Sequence, residues 1–387
     1  MNIIPELKKS AKHVSEIAWG LLGANMGDAL NIFFMSVFAT LLLDKPYLLA
    51  LIPSLAALRG SIATSMASRV TTSLYLGQLR PRVKEILYRE SARTTVLGLS
   101  SSIYAGIIVG LIAGYSIFTT ASAAGFSALL ALLVLLPVTG LLAVAGFRLG
   151  LNPDNYMAPL LTVLGDITTV PALVIVSYFI GVNRGVDTFL ALLLVYVTLT
   201  VTIALAYTNR NHRKVIVEGL LALLLVGLIE SVTGGFLAGY STLLAAIGVL
   251  HMIPSLMEDI GASISIYASR ASTILHIEGF EESLKKTPRI IAETYLGSIP
   301  AMITLATIGY LALGLAGLQA TYTFILKTTF LLWTTMLLAL SLIVLVLIWS
   351  SQRIGLDPDN IVIPLITSLV DMTTIPWLVI IYSIMLA

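Results

Sequence analysis

The chain has 387 residues, of which 58% are hydrophobic and 11% are charged, and its mean hydropathy is +0.98. Soluble domains carry about 25% charged residues, so the composition predicts an all-α integral membrane protein without a folded soluble domain. The net charge of +2 implies no nucleic-acid-binding surface, and the lack of cysteine excludes disulfides, thiol catalysis and thiolate metal sites.

Apolar runs of about 20 residues can cross the bilayer as helices. Eleven runs are predicted, and they lie at residues 17–43, 47–76, 94–118, 124–148, 156–181, 187–208, 216–239, 243–275, 290–314, 322–350 and 361–386. Pro53 and Pro254 are candidates for breaking the two longest spans. The runs form a 5+1+5 arrangement, with five-helix repeats at 1–181 and 212–387 and an extra helix in the linker 182–211.

The basic residues predict the orientation. Sixteen of the 22 lysines and arginines lie in loops on the side of the N-terminus, whereas only Lys45, Arg184 and Lys327 lie on the other side. The remaining three lie within or at the end of spans. Because cytoplasmic loops are rich in Lys and Arg, we expect a multi-pass protein of the plasma membrane with a cytoplasmic N-terminus and an extracellular C-terminus.

One segment occurs twice. "LNPDNYMAPLLTVLGDITTVP" at 151–171 and "LDPDNIVIPLITSLVDMTTIP" at 356–376 share 12 of 21 residues. The strings "IPSL" and "ASR" also occur once in each half, and Asp28 and Glu230 lie at matching positions. The extra helix makes both copies insert in the same direction. The halves are therefore predicted to be parallel repeats related by a pseudo-two-fold axis, a pseudo-dimer within one chain that implies no further oligomerisation.

The oxygen-bearing residues of each motif copy follow helical spacing and share one helix face. They are Asn155, Thr162 and Asp166 in the first copy, and Asn360, Thr367 and Asp371 in the second. Prolines on either side of each aspartate free backbone carbonyls. Such oxygen-only ligands favour Mg²⁺, with Mn²⁺ and Ca²⁺ as alternatives. The other interpretation is a structural acceptor between helices, although a charge at mid-bilayer costs about 2.5–3.5 kcal/mol.

Further acidic residues within the predicted spans are secondary candidates for a pathway. They are Asp28, Glu230, Glu258 and Asp259. Because their charges repel, cations or protons are expected in this interior. Alternatively, Glu258 or Asp259 pairs with Arg59. Ser61 and Ser263 lie in stretches of small residues that either line the pathway or allow close helix packing.

These features resemble the MgtE and solute carrier 41 family of magnesium transporters. The resemblance rests on the duplicated Pro-x-x-Thr to Asp-x-Thr helix and the ASR end of the second helix, and it covers essentially the whole chain. It implies a transporter in which each fifth helix supplies an aspartate, here Asp166 and Asp371, to a magnesium site on a central axis. Ser61 and Ala262 stand where members often carry asparagine, and the magnesium-sensing domains of bacterial members have no counterpart in these residues.

Two other functions are compatible with the residues. A proton- or sodium-coupled carrier of an organic solute could use the same two aspartates, and Na⁺ or H⁺ is also the candidate coupling ion for magnesium transport. An intramembrane enzyme is disfavoured, because the sequence has no HExxH, GxSxG or P-loop motif.

Overall fold

The computed structural model describes residues 3–75, 83–148, 157–208, 210–354 and 358–386, and it contains no β-strand in these ranges. The described residues form helices because in lipid every backbone N–H and C=O must be paired within the chain. The helices are α1 (Ile3–Val37), α2 (Ala39–Asp44), α3 (Pro46–Tyr75), α4 (Val83–Ala113), α5 (Ile117–Arg148), α6 (Met157–Ser177), α7 (Arg184–Thr208), α8 (Arg210–Gly239), α9 (Ser241–Ala246), α10 (Ile253–Glu278), α11 (Phe280–Ala316), α12 (Tyr322–Ile354) and α13 (Pro358–Leu386).

Every helix overlaps one of the predicted apolar runs, and the short α2 and α9 lie at the ends of two of these runs. Nine helices of the described residues are long and apolar enough to cross a membrane, which agrees with a multi-pass membrane protein. The other two long helices, α1 and α10, contain buried acidic residues in their apolar stretches. Their assignment as spans, and with it the 5+1+5 arrangement, stays a prediction.

Several helix boundaries differ from the predicted ones. The helices α4 and α11 begin about ten residues earlier than predicted, at Val83 and Phe280. Charged residues end the apolar runs there, but they do not end the helices. Pro53 lies inside the continuous helix α3. Pro254, in contrast, lies in the first turn of α10, directly after a short 3₁₀ helix at Leu250–Met252, so only this proline marks a break.

The chain divides into two compact units, which we call the central unit (Thr40–Ser241) and the terminal unit (Met1–Ala39 with Thr242–Ala387). In the central unit, α3 packs against α4, α5, α6 and α8. In the terminal unit, α10 packs in the same way against α11, α12, α13 and α1. The second helix of each sequence repeat is therefore the centre of its unit.

The first helix of each repeat lies in the unit of the other repeat. Helix α1 begins the first repeat but packs against α10 and α11, and α8 begins the second repeat but packs against α3 and α4. The two contacts match, since α3 and α4 correspond to α10 and α11. The extra helix α7 packs against α5, α4 and α8 in the central unit.

The third helices of the two repeats both end at a glycine. Gly114 follows α4 with a φ of 73°, and Gly317 follows α11 with a φ of 63°. This left-handed conformation is the usual end of a helix and favours glycine, which has no Cβ. The matching glycines stop the third helix of both repeats at equivalent positions.

Candidate functional site

The two motif aspartates lie on helices, as the sequence predicts. Asp166 is on α6 and Asp371 is on α13, and both are half-buried within their own units. Thr162 and Thr367, one turn earlier, are also half-buried. Because these residues are separated by four positions within continuous helices, each threonine shares a face with its aspartate.

The backbone next to each aspartate is similar in the two copies. The hydroxyl groups of Thr169 and Thr374 each donate a hydrogen bond of 2.8 Å to the carbonyl oxygen four residues earlier, that of Gly165 and that of Val370 respectively. Of the two predicted amide ligands, Asn155 lies outside the described residues, and the side chain of Asn360 does as well.

In the central unit, two glycines bring α3 and α6 into close contact. A Cβ atom on Gly165 would lie 2.8 Å from the backbone nitrogen of Gly60, and one on Gly60 would lie 3.4 Å from the Cα of Thr162. A side chain at Gly165 would therefore push the helices apart. Ser61 follows Gly60 and is half-buried, so the small-residue stretch does serve close packing here.

A buried arginine lies beside this crossing. Arg59 is 2% exposed, and its Nη2 donates a hydrogen bond of 2.9 Å to the Oγ of Ser127 on α5. Its guanidinium is close enough to the Asp166 carboxylate for the two charges to attract. The partner that the structure assigns to Arg59 within the central unit is thus the motif aspartate.

The terminal unit has a group of acidic residues at the corresponding place. Asp28 on α1 and Asp259 on α10 are 3% and 0% exposed, and their carboxylates repel each other. The half-buried Glu258 adds a further negative charge. The hydroxyl of Ser255 faces the carboxylate of Asp28.

Several oxygens of this acidic group accept no hydrogen bond in the described part of the chain. Among the described residues, both oxygens of Asp259, one oxygen of Asp28 and the hydroxyl of Ser263 have no hydrogen-bond partner. Ser255, Asp259 and Ser263 follow at intervals of four and therefore share one face of α10. Buried polar atoms are normally paired. This face is unusual because its buried oxygens lack hydrogen-bond donors, and such oxygens are suited to bind a cation.

Glu230 on α8 is the counterpart of Asp28 and is 3% exposed in the central unit. The structure thus brings Asp28, Glu258 and Asp259 together in one unit, and it places Glu230 in the other unit. Within the described part of the chain, no group of three or more His, Cys, Asp or Glu side chains is arranged to hold a metal ion.

The sequence analysis missed a second pair of buried acids. Glu90 on α4 accepts hydrogen bonds from Arg69 Nε at 2.7 Å and from Arg93 Nη1 at 2.5 Å. Glu293, at the matching position of α11, accepts hydrogen bonds from Arg270 and from Arg289 Nε, the latter at 2.9 Å. A signal was available, because each glutamate lies 24 residues before the glycine that follows its helix, Gly114 or Gly317.

The fold and the buried acids define a multi-pass helical membrane protein with a polar interior. A family model described as MgtE, divalent cation transporter, matches residues 52–176 and 253–381, one stretch in each repeat. The matched residues make up more than half of the chain, so the chain belongs to the MgtE family. The prediction of a transporter family rather than an enzyme family is confirmed.

Curated relatives have a related name. Solute carrier family 41 member 3 of Rattus norvegicus is 28% identical over 251 residues, which are 60% of this chain and 53% of the relative. Solute carrier family 41 member 2 of Mus musculus and that of Homo sapiens are each 25% identical, over 364 and 360 residues, which are 83% of this chain and 61% of each relative. The chain thus spans about half to three fifths of the length of these relatives. No solved structure gives a significant match.

Proposed function

We propose that this protein transports divalent cations across a membrane, with Mg²⁺ as the principal substrate. The observation that carries the proposal is a duplicated aspartate on an apolar helix, in a chain that belongs to a family of divalent cation transporters. Ionisable residues inside a membrane are costly, and they usually mark a route for ions or substrates. An identical placement in both repeats favours a shared role for Asp166 and Asp371.

The chemistry of the ligands supports a hard cation. The face of each motif helix presents carboxylate and hydroxyl oxygens, from Asp166 and Thr162 in one repeat and from Asp371 and Thr367 in the other. Mg²⁺ typically keeps several waters and binds through one or two carboxylates. Half-buried carboxylates in each repeat suit an ion that retains part of its water shell.

The pathway in this proposal runs between the two sequence repeats, and each fifth helix supplies one aspartate to it. Asn155 and Asn360 extend the ligand set toward the start of each helix. Secondary binding sites for the cation, or for a coupling ion such as Na⁺ or H⁺, are formed by the acids Asp28, Glu230, Glu258 and Asp259. The N-terminus is cytoplasmic and the C-terminus extracellular, in the plasma membrane.

The proposal is tested by Mg²⁺ entry into proteoliposomes that contain a magnesium-sensitive dye. Asp166→Asn and Asp371→Asn should each reduce the flux by about ten- to a hundredfold, because an interaction with a charged group is worth about 1.5–3 kcal/mol. Asp44→Asn is the matched control, since Asp44 is an exposed aspartate outside the motif helices, and this variant should retain the wild-type flux.

Wild-type protein that conducts no Mg²⁺ under Na⁺ or proton gradients of either sign would contradict the proposal. This result would favour a proton- or sodium-coupled carrier of an organic solute. Flux that survives both motif substitutions would leave cation transport intact, but it would move the site from the two motif aspartates to the secondary acids.

A further inference from the structure

The two repeats differ in charge along one stretch of the second helix, and one position there carries an arginine in the first repeat only. Arg59 lies in the "ALRGS" stretch of α3, and the equivalent residue of α10 is Ile260, in the stretch "EDIGA". Both side chains are buried, at 2% and 0% exposure. One unit thus has an internal guanidinium where the other has an aliphatic group.

The geometry explains how the arginine reaches the motif aspartate. The close crossing at Gly60 and Gly165 places the residues next to these glycines, Arg59 and Asp166, on adjoining helices. The hydrogen bond to Ser127 holds one end of the guanidinium on α5. The terminal unit has a wider crossing, because Val370 replaces the glycine and its Cγ1 would be 4.0 Å from a Cβ on Gly261.

The consequence is electrostatic. A guanidinium remains protonated inside a protein, so Asp166 already has a cationic partner from its own chain. Any cation that binds to Asp166 must compete with this partner. Asp371 has Ile260 at the equivalent place of its own unit, and the acids Asp28 and Asp259 lie in the same unit. Ile260 carries no charge, so this position of the terminal unit supplies no competing cation.

We propose that Arg59 is a tethered cation that competes with the transported ion for Asp166 and thereby sets the selectivity for divalent over monovalent ions. This inference rests on the function proposed above. In this proposal the transported ion binds to Asp166 by displacing Arg59. At equal distance a divalent ion interacts with the carboxylate about twice as strongly as a monovalent ion, so Mg²⁺ displaces the guanidinium more readily than Na⁺ does.

The experiment measures Mg²⁺ binding and Mg²⁺ flux in the purified full-length chain. Binding is followed as the Mg²⁺-dependent rise of the thermal unfolding midpoint in detergent, and flux is followed in proteoliposomes. Arg59→Gln removes the tethered charge and should lower the half-saturating Mg²⁺ concentration by about tenfold, a factor that corresponds to about 1.4 kcal/mol. Excess NaCl should inhibit Mg²⁺ binding and flux more in this variant than in the wild type. The chloride of a large organic cation is the control for ionic strength.

Three further variants keep the test decisive if Arg59→Gln does not fold. Arg59→Met fills the site with an apolar side chain of similar length and should also increase the affinity for Mg²⁺. Ile260→Arg introduces the tethered charge into the terminal unit and should raise the half-saturating concentration. Arg59→Lys retains the charge and should remain closer to the wild type than either Arg59→Gln or Arg59→Met.

The outcomes separate the inference from the function on which it rests. If Mg²⁺ stabilises the wild type and the Arg59 variants with the same half-saturating concentration and the same response to NaCl, Arg59 is only structural and the inference is wrong. If neither the wild type nor any variant responds to Mg²⁺ in binding or flux, the proposed function is wrong and the inference is rejected with it. A response that appears only when Arg59 is removed would support the tethered competitor.

Discussion

Buried acidic side chains in this protein differ in whether their oxygens have partners. Glu90 accepts hydrogen bonds from two arginines, and Asp187 accepts them from the hydroxyl of Thr119 at 2.7 Å and from the backbone N–H of Gly181 at 3.1 Å. Both oxygens of Asp259, in contrast, are unpartnered among the described residues. Removing one partner of a satisfied buried acid destabilises the fold, whereas an unsatisfied buried acid itself costs stability and suggests a functional role.

This difference predicts that the two acids respond differently to removal of their charge. Asp187→Asn should destabilise the protein by about 1–3 kcal/mol, because an amide NH₂ group would face a donor that now bonds a carboxylate oxygen. Asp259→Asn should cause no loss or a small gain, since it removes a buried charge without a partner. The measurement is the apparent unfolding midpoint of each variant in detergent without divalent ions. Equal losses in the two variants would show that Asp259 has partners that satisfy it.

At the scale of helices, small residues determine which elements can pack together. Lipid tails are as apolar as the helix surfaces, so helices in a bilayer associate through close packing rather than through hydrophobic burial. In the central unit, Gly234 of α8 lies against the backbone of α3, where a Cβ would be 1.9 Å from the carbonyl oxygen of Ala50. The packing of α8, the first helix of the second repeat, against α3 therefore depends on the absence of a side chain at Gly234.

Gly234→Ala should lower the apparent unfolding midpoint. The added methyl group meets a backbone oxygen that cannot rotate away, and overpacking of this kind costs about 1–3 kcal/mol. Gly239→Ala is the matched control in the same helix, because a Cβ there has no neighbour within 4 Å, and it should change stability by less than about 0.5 kcal/mol. If the two alanine variants have the same midpoint, the close contact between α8 and α3 is not present in the folded protein.

At the scale of the whole molecule, the distribution of basic residues predicts the orientation in the membrane. Lys8 lies near the N-terminus on α1, whereas Gln319 lies in the connection between α11 and α12, and both side chains are exposed. The predicted topology places Lys8 in the cytoplasm and Gln319 outside the cell. The chain has no cysteine. A single cysteine introduced at either position can therefore report on which side of the membrane that position lies.

Gln319→Cys should react with a membrane-impermeant maleimide in intact cells, and Lys8→Cys should react only after the membrane is permeabilised. The cysteine-free wild type is the background control. Labelling of Lys8→Cys in intact cells together with protection of Gln319→Cys would invert the topology. Labelling of both positions would require an even number of spans between them, instead of the odd number predicted.

The sequence by itself determined the membrane class, the helical face of each motif and the family. These features are local or repetitive: an apolar run of about 20 residues can satisfy its backbone in lipid only as a helix, and helical spacing alone places Thr162 and Asp166 on one face. The duplication was equally visible, because its two copies can be compared letter by letter.

Only the tertiary structure decided which repeat each first helix packs against and which acids have partners. By pattern alone, a first helix could pack against the second helix of either repeat, and the choice depends on ångström-scale contacts such as that of Gly234 on α8 with Ala50 on α3. The sequence analysis did not connect Arg59 with Asp166, whereas the structure places Asp166 beside it, because the crossing of Gly60 and Gly165 brings α3 and α6 together. Such contacts join residues more than a hundred positions apart in the sequence, and no local periodicity records them.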